Sequence, residues 1–330
     1  MTHRPPVGVL VHGTTPPDQL VELCVRIEEA GYGELWLSED YFFLGGPTSA
    51  AMALQATREI PVGIGIMSAV VRHPAVTAME VSTLSLAYPG RLITGIGHGV
   101  PVWTRQMGLY PNSPIRSLRS AIETTRALLA GETLTIDEGP FTFDQVALVH
   151  PNPAGVDLYA GVVGPKSLEL AGEIADGTIM SVVAAPRYLE YAKKHIQAGA
   201  AKSGRDVATH RIPTFTLYHT DLDGDRARAA GREALGFYLQ ALGPTPMTGV
   251  YDINDQLTEI LELGDPAKIA AALPEEWVDT FTVSGTPTEC LGRIRGLLAA
   301  GATSVVLVPV PAEGTDEILA LTAADVLPHL

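Results

Sequence analysis

Glu39 and Asp40 are neighbouring carboxylates at the end of a short apolar run, Leu35-Trp36-Leu37. Two acids side by side repel, so one of them holds its proton to higher pH, which suits general acid–base work. As a structural feature the same pair would only be hydrogen-bonded in a loop or cap a helix. Tyr41 follows directly. The segment Arg72-His73-Pro74-Ala75-Val76 adds a cation and an imidazole, although a His before Pro at a helix start also has a purely structural use. In Gly95-Ile96-Gly97-His98-Gly99 the glycines would let a ligand approach backbone N–H groups, and His98 adds a titratable ring. Such a run is also a common turn. Trp103 offers a face for stacking on a flat ring. The turn Gly161-Val162-Val163-Gly164-Pro165-Lys166-Ser167 opens a helix at Pro165, and a helix start with close backbone approach suits a phosphate or carboxylate. Zinc-ligand spacing, a nucleophile elbow and a P-loop are all missing, so no metal site is expected. With no such groups, the hard chemical step falls to a bound organic cofactor.

Strands and helices must alternate to bring these residues together. Apolar runs predict strands at Val7 to Val11, Leu35 to Leu37, Val62 to Met67, Leu92 to Ile96, Val156 to Ala160, Asp176 to Val182, Arg211 to Tyr218 and Thr303 to Val308. Three- and four-residue spacing predicts helices between them, as in Leu20, Leu23, Cys24, Ile27 and Ala30, closed by Gly31. Residues 133–149 break the alternation and read as a β-hairpin around Glu138-Gly139-Pro140. Residues 243–264 carry early Pro and Gly breaks and read as an irregular excursion. Eight strand–helix units fit a (β/α)8 TIM barrel in one domain over 1–330, whose ligand site is built by loops after the strands. A doubly wound sheet is the competitor, but the first turn lacks a dinucleotide fingerprint. On that geometry His12, Ser68, Arg72, His73, Gln106, Tyr159, Met180 and Ser181 join the candidates, while Arg91 falls at the opposite end.

The formal net charge of -15 over 330 residues disfavours nucleic acid and other polyanions. No apolar segment reaches the roughly 20 residues that cross a bilayer, and no signal peptide precedes the first strand, so a cytoplasmic enzyme is expected. Cys24 and Cys290 lie on amphipathic helical stretches and are expected to be buried free thiols.

Taken in order, Ser38-Glu39-Asp40, Arg72-His73-Pro74 with Pro89-Gly90-Arg91, the Gly95 to Gly99 loop, Gly164-Pro165-Lys166-Ser167 and Ser284-Gly285-Thr286-Pro287 resemble the bacterial luciferase-like superfamily of flavin- and deazaflavin-dependent oxidoreductases. The resemblance spans most of the chain and is nearest to the branch that uses coenzyme F420. It implies a barrel holding the cofactor ring at the carboxyl end of the strands. It also implies a non-prolyl cis peptide at Gly65-Ile66 behind that ring. Cofactor contacts are implied at Glu39, Gly65, Ile66, Gly97, His98, Gly99, Trp103, Val163, Gly164 and Pro165, with Arg72, Arg105 and Lys166 as cations for a phosphate or tail. Asp40, His98 or Tyr41 would move the proton. The sugar-phosphate dehydrogenases of this branch carry a His where Asp40 stands and an acid where Val100 stands, so those two positions point instead to a less charged small-molecule organic substrate. The alternatives are an FMN-dependent monooxygenase served by a flavin reductase partner and a non-catalytic flavin-binding relative. The resemblance further implies a homodimer, with the Ser49 to Ala56 and Ala75 to Ala87 helices able to serve as its interface.

Overall fold

The computed structural model describes residues 4–330. Met1, Thr2 and His3, which the sequence runs straight into the first strand, lie outside the described residues. Nine parallel strands form the main sheet: β1 (Val7–Val11), β2 (Glu34–Leu37), β3 (Val62–Ser68), β4 (Leu92–Gly97), β7 (Leu158–Gly161), β8 (Gly177–Ile179), β9 (Pro213–Thr220), β10 (Thr282–Gly285) and β11 (Ser304–Pro309). Between β4 and β7 comes the antiparallel hairpin of β5 (Leu134–Ile136) and β6 (Phe143–Val146), as the alternation of residues 133–149 predicts. The strands run in the order β10-β9-β11-β1-β2-β3-β4-β7-β8. Backbone hydrogen bonds from Thr178 to Arg211, Met180 to Pro213 and Phe215 to Met180 join β8 to the start of β9. The eight expected strands are thereby linked around a ring, with helices outside. This is the α/β barrel of the sequence reading.

Strands buried on both faces must be apolar along their length, as β1 (VGVLV) and β11 (SVVLVP) are, every residue of each being buried. The helices present one apolar face. In Pro17–Glu29 that face is Leu20, Leu23, Cys24 and Ile27, and each such side chain contributes about 1.5–3 kcal/mol by leaving water. Their starts are set by Pro at the first turn and by side-chain caps. Asp223 accepts from the Asp225 and Arg226 amides, and Thr286 and Glu289 form a capping box, each cap contributing about 1 kcal/mol. Cys24 and Cys290 are free and buried, and burial pushes their thiols up to about 12 and about 11.

Two expectations need correction. Residues 243–264 are not irregular: they hold helices Pro246–Gly249 and Asn254–Leu261, followed by Pro266–Ala272 and Glu275–Phe281. Each is too short for periodicity to register. The sequence also passes over β10, whose four residues follow the last of these helices with no break and pair with the second half of β9.

Candidate active site

The loops after β2, β3, β4 and β7 converge at the carboxyl end of the ring. Glu39, its side chain only 2% exposed, is the best-anchored residue there. Its carboxylate accepts from both terminal nitrogens of Arg72 at 2.6 and 2.5 Å, from the Gly46 amide at 3.0 Å and from the Tyr41 hydroxyl at 3.2 Å. The Arg72 Nε lies 3.2 Å from Glu80 on helix Pro74–Ala87. Arg72 is therefore not a spare cation for a phosphate, as the sequence suggests, because two carboxylates share its charge. Beside this pair Asp40 is half-buried. Burial raises its carboxyl above the usual aspartate range, the Glu39 charge adds to the rise, and the Ser38 hydroxyl opposes it. Asp40 thus holds its proton to higher pH than an ordinary aspartate. Burial, followed by the charge of Glu39, pushes the Tyr41 phenol up as well.

The Gly65–Ile66 peptide is cis, and the β3–β4 register shifts between Ile64 and Met67. The bulge turns the Ile66 side chain over β4 and β7. A Cβ on Gly97 would lie 2.6 Å from Ile66 Cδ1, and one on Gly161 would lie 2.6 Å from Ile66 Cγ2. These glycines are required by that close approach. His98 Nε2 is 3.0 Å from the Ser167 hydroxyl, while its buried Nδ1 has no well-formed partner. Burial lowers the imidazole pKa, so the ring is neutral at physiological pH. Gly99 has φ +72°, and the residue before it is tied down where Ser68 Oγ donates to the His98 carbonyl at 3.3 Å. Gly164 precedes helix Pro165–Ile174 without any side-chain cap, and a Cβ there would meet nothing within 4 Å. Exposed Lys166 lies in the first turn of that helix. The Val163 carbonyl is fixed by the Tyr188 hydroxyl at 2.7 Å.

Trp103 borders the same mouth, and several other candidates lie elsewhere. Trp103 is on helix Pro101–Gln106, not a loop, and packs edge-on against Tyr41 and Phe43 at 6.3 and 6.4 Å. Arg105 stacks over the Tyr110 ring at 4.2 Å. His73 caps helix Pro74–Ala87, accepting from the Ala75 amide, and binds the Thr142 carbonyl between Phe141 and Phe143. It docks the hairpin against helix Pro74–Ala87. Tyr159 is buried within β7, surrounded by Asp157, Arg211 and Asp176 at the amino end of the strands. Arg91 binds the carbonyls of Leu54, Thr57 and Ile60, the structural role expected of it. His12 is half-buried, its Nε2 against the Pro309 carbonyl. The sequence missed Glu80 and the exposed rings of Phe42 and Phe43. Only the aromatic doublet itself could have flagged the latter. Among the described residues no group of His, Cys, Asp and Glu is placed to hold a metal, and no helix is long and apolar enough to cross a membrane.

This arrangement of ion-paired acid, protonatable acid, bulged third strand and uncapped helix start sits within a sequence whose residues 3–304 match the luciferase-like monooxygenase family. The chain belongs to that family. Relatives within it include the 5,10-methylenetetrahydromethanopterin reductase of Archaeoglobus fulgidus, 30% identical over 84% of this chain and 86% of that one. The F420-dependent glucose-6-phosphate dehydrogenase of Nakamurella multipartita is 30% identical over 95% and 93%. In fold, this luciferase-like chain superposes on the coenzyme F420-dependent tetrahydromethanopterin reductase of Methanopyrus kandleri with a TM-score of 0.86, at 24% identity and 99% coverage of both chains. The oxygenating constituent of 3,6-diketocamphane monooxygenase from Pseudomonas putida, solved with FMN, gives 0.71 at 18% identity and 98% coverage of both.

Proposed function

We propose that this chain is a coenzyme F420-dependent oxidoreductase that moves a hydride between the deazaflavin and a small organic substrate. The observation that carries the reading is the division of labour between Glu39 and Asp40. Arg72 holds the Glu39 carboxylate by two hydrogen bonds, and the adjacent Asp40 has a raised pKa at the mouth of the barrel. Hydride transfer needs one proton taken up or released beside it, and no covalent nucleophile. The two 30% identical relatives named above, both reductases or dehydrogenases, support the same chemistry.

The residues present fit a deazaflavin nucleotide analogue. An uncapped helix start at Gly164 and Pro165, with Lys166 beside it, suits a phosphate. His98, its Nε2 3.0 Å from the Ser167 hydroxyl, and the Gly97 and Gly99 backbone would lie beside the polar part of the cofactor. Ile66, Gly65 and Val163 would back the ring, Trp103 would flank it, and Glu39 would face a ring N–H. When bound, the cofactor supplies the hydride-carrying carbon. Asp40 donates or accepts the proton, with Tyr41 and neutral His98 as the other groups within the mouth. Arg72 holds Glu39 in place and the apolar bulge excludes water.

Asp40 and Val100 stand against a sugar phosphate as substrate, since Val100 is an exposed apolar residue at the start of helix Pro101–Gln106. The FMN-dependent monooxygenase, with its flavin reductase partner, is the second reading, favoured by the FMN-bound neighbour in fold. A homodimer is supported by the exposed Val76, Met79 and Leu86 stripe on helix Pro74–Ala87 and by Met52 nearby in the preceding unit. The deciding experiment titrates the purified protein with oxidised F420 and, separately, FMN, following cofactor fluorescence. Saturable F420 binding without an FMN response is the expected result. Binding of FMN alone would replace the proposal with the monooxygenase, and binding of neither would remove both.

A further inference from the structure

The ring of Phe215 shows which way strand β9 faces. It meets Trp36 of β2 at 5.4 Å and 73°, and a Cβ on Gly65 would lie 2.8 Å from Phe215 Cζ. In the closed ring β9 stands opposite β3, four strands away in either direction, so this contact crosses the lumen. Side chains alternate along a strand, which puts Leu217 and His219 on the same inner face as Phe215. Tyr218 points the other way, its hydroxyl 2.7 Å from Thr322 Oγ1 on the outer helix Thr315–Asp325. Phe215 and Leu217 are 7% and 0% exposed, so on this wall the lumen is packed up to Leu217. His219, the next inward residue toward the carboxyl end, is only half-buried. It therefore lines the mouth on the wall that faces the Ile66 bulge, although no motif marks it in the sequence.

Its ring is fixed in orientation and in tautomer. A carbonyl oxygen only accepts, so Nδ1, 2.5 Å from the Val310 carbonyl, carries the hydrogen. In the neutral ring Nε2 is then left with a lone pair. Among the described residues Nε2 has no hydrogen-bond partner, and it is not shut away from solvent. A bare acceptor held at that place, just above the apolar layer of Leu217, is matched by a ligand that brings a donor.

We infer that His219 is a specificity residue of this site, and that the substrate carries a hydroxyl or N–H group that donates to His219 Nε2. The inference rests on the oxidoreductase reading for the word substrate, but the contact can be read without turnover. A molecule lying on a ring backed by Ile66 meets Asp40 from the loop after β2 and His219 from the wall opposite β3. Two fixed points of contact decide which of its carbons lies over the ring.

The nitrogen shifts of isotope-labelled histidine in the full chain supply the readout, because they separate an N–H from a bare nitrogen. An asparagine amide overlays Cγ and Nδ1 of the imidazole, so His219→Asn keeps a donor for Val310, lacks Nε2 and assigns the signal. His219→Gln is the second assignment variant. The probes are cyclohexanol and cyclohexanone, which share a skeleton and differ in the donor. Spectra are taken on the alkaline side of the ordinary histidine range, where imidazoles are neutral. The hydrogen should be found on Nδ1, cyclohexanol should move the Nε2 signal saturably, and cyclohexanone should leave it in place. Saturation transfer to the probes' own protons then compares parent and His219→Asn. Binding of the alcohol should weaken about threefold to tenfold, and binding of the ketone should not change. A hydrogen on Nε2, an equal response to the ketone, a shift that never saturates, or undiminished alcohol binding by His219→Asn would each overturn the inference. A saturable alcohol response in a protein that ignores F420 would sink the cofactor reading and leave the contact standing. F420 binding without that response would do the reverse.

Discussion

Replacing Arg72 with methionine removes both hydrogen bonds that hold the Glu39 carboxylate and also the contact with Glu80. Glu39 would keep only the Gly46 amide and the Tyr41 hydroxyl, in a position where its side chain is 2% exposed. Stripping one partner from a buried ion pair costs about 3–5 kcal/mol. The Arg72 side chain is 21% exposed, so water re-enters in part and about 3 kcal/mol is the expected loss. A chain of 330 residues unfolds with an entropy of about 0.7 kcal/mol/K, which converts that loss to a fall in Tm of about 4 °C. Glu39→Gln should cost less, because an amide needs no counter-ion, although it strands the guanidinium. The double variant Arg72→Met/Glu39→Gln leaves no charge without its partner and should recover at least half of the sum of the single losses. Thermal and urea unfolding of all four proteins completes the cycle. If Arg72→Met costs under about 1 kcal/mol, or if the double variant loses the sum of the singles, then the pair is not coupled and the division of labour between Glu39 and Asp40 is wrong.

Three further outcomes are expected. Burial lifts Asp40 above its ordinary 3.8, so the native state binds that proton more tightly than the unfolded chain, and stability is lost as pH rises through the lifted value. Asp40→Asn cannot ionise: relative to the parent it should gain stability over that rise while turnover falls about 10²–10⁴-fold, and a stability difference flat with pH would count against the shift. His210, buried with its Nε2 on Thr178 Oγ1 at 2.8 Å, is pushed down to about 4. The unfolded chain therefore binds the extra proton between about 6.5 and 4, and acidification across that window should cost up to about 3 kcal/mol that His210→Gln does not lose, as read from paired urea titrations. Gly97→Ala would place a Cβ 2.6 Å from the Gly161 carbonyl as well as from Ile66, and should cost about 1–3 kcal/mol and abolish F420 binding; unaltered cofactor fluorescence on titration would refute the packing.

Much of the barrel is written locally. Strands such as β1 and β11 announce themselves because a parallel strand buried on both faces must be apolar throughout, and helices such as Pro17–Glu29 do so through their one-sided spacing. The resemblance placed the bulge at Gly65–Ile66, where the structure has a cis peptide and a shifted register. What the sequence hides is non-local. Arg72 finds Glu39 across 33 positions, and nothing near Glu39 hints at that partner. His73 faces Thr142, 69 positions on, so its capping and docking roles show only in three dimensions. The four short helices between 246 and 281 offer too few turns for a period, and β10 is too brief to separate from the helix before it. Trp103 follows Pro101 in a helix of six residues, which a composition rich in polar neighbours disguises as a loop.

Strand β9 has one neighbour from Pro213 to Tyr218, β11, but two in succession on its other side: β8 at its beginning and β10 from Leu217 onward. The wall of the barrel is therefore spliced at this point, like a plank that is met first by one board and then by another. The second board is the tail end of the helical segment 246–281, which is thereby bolted to the wall by backbone hydrogen bonds and does not hang from it as a free flap. His219 lies on the stretch paired with β10, and its ring holds the Val310 carbonyl at the end of β11. The 246–281 helices are therefore anchored at their carboxyl end by the upper half of the splice, while the lower half, β8 on β9, keeps the ring shut.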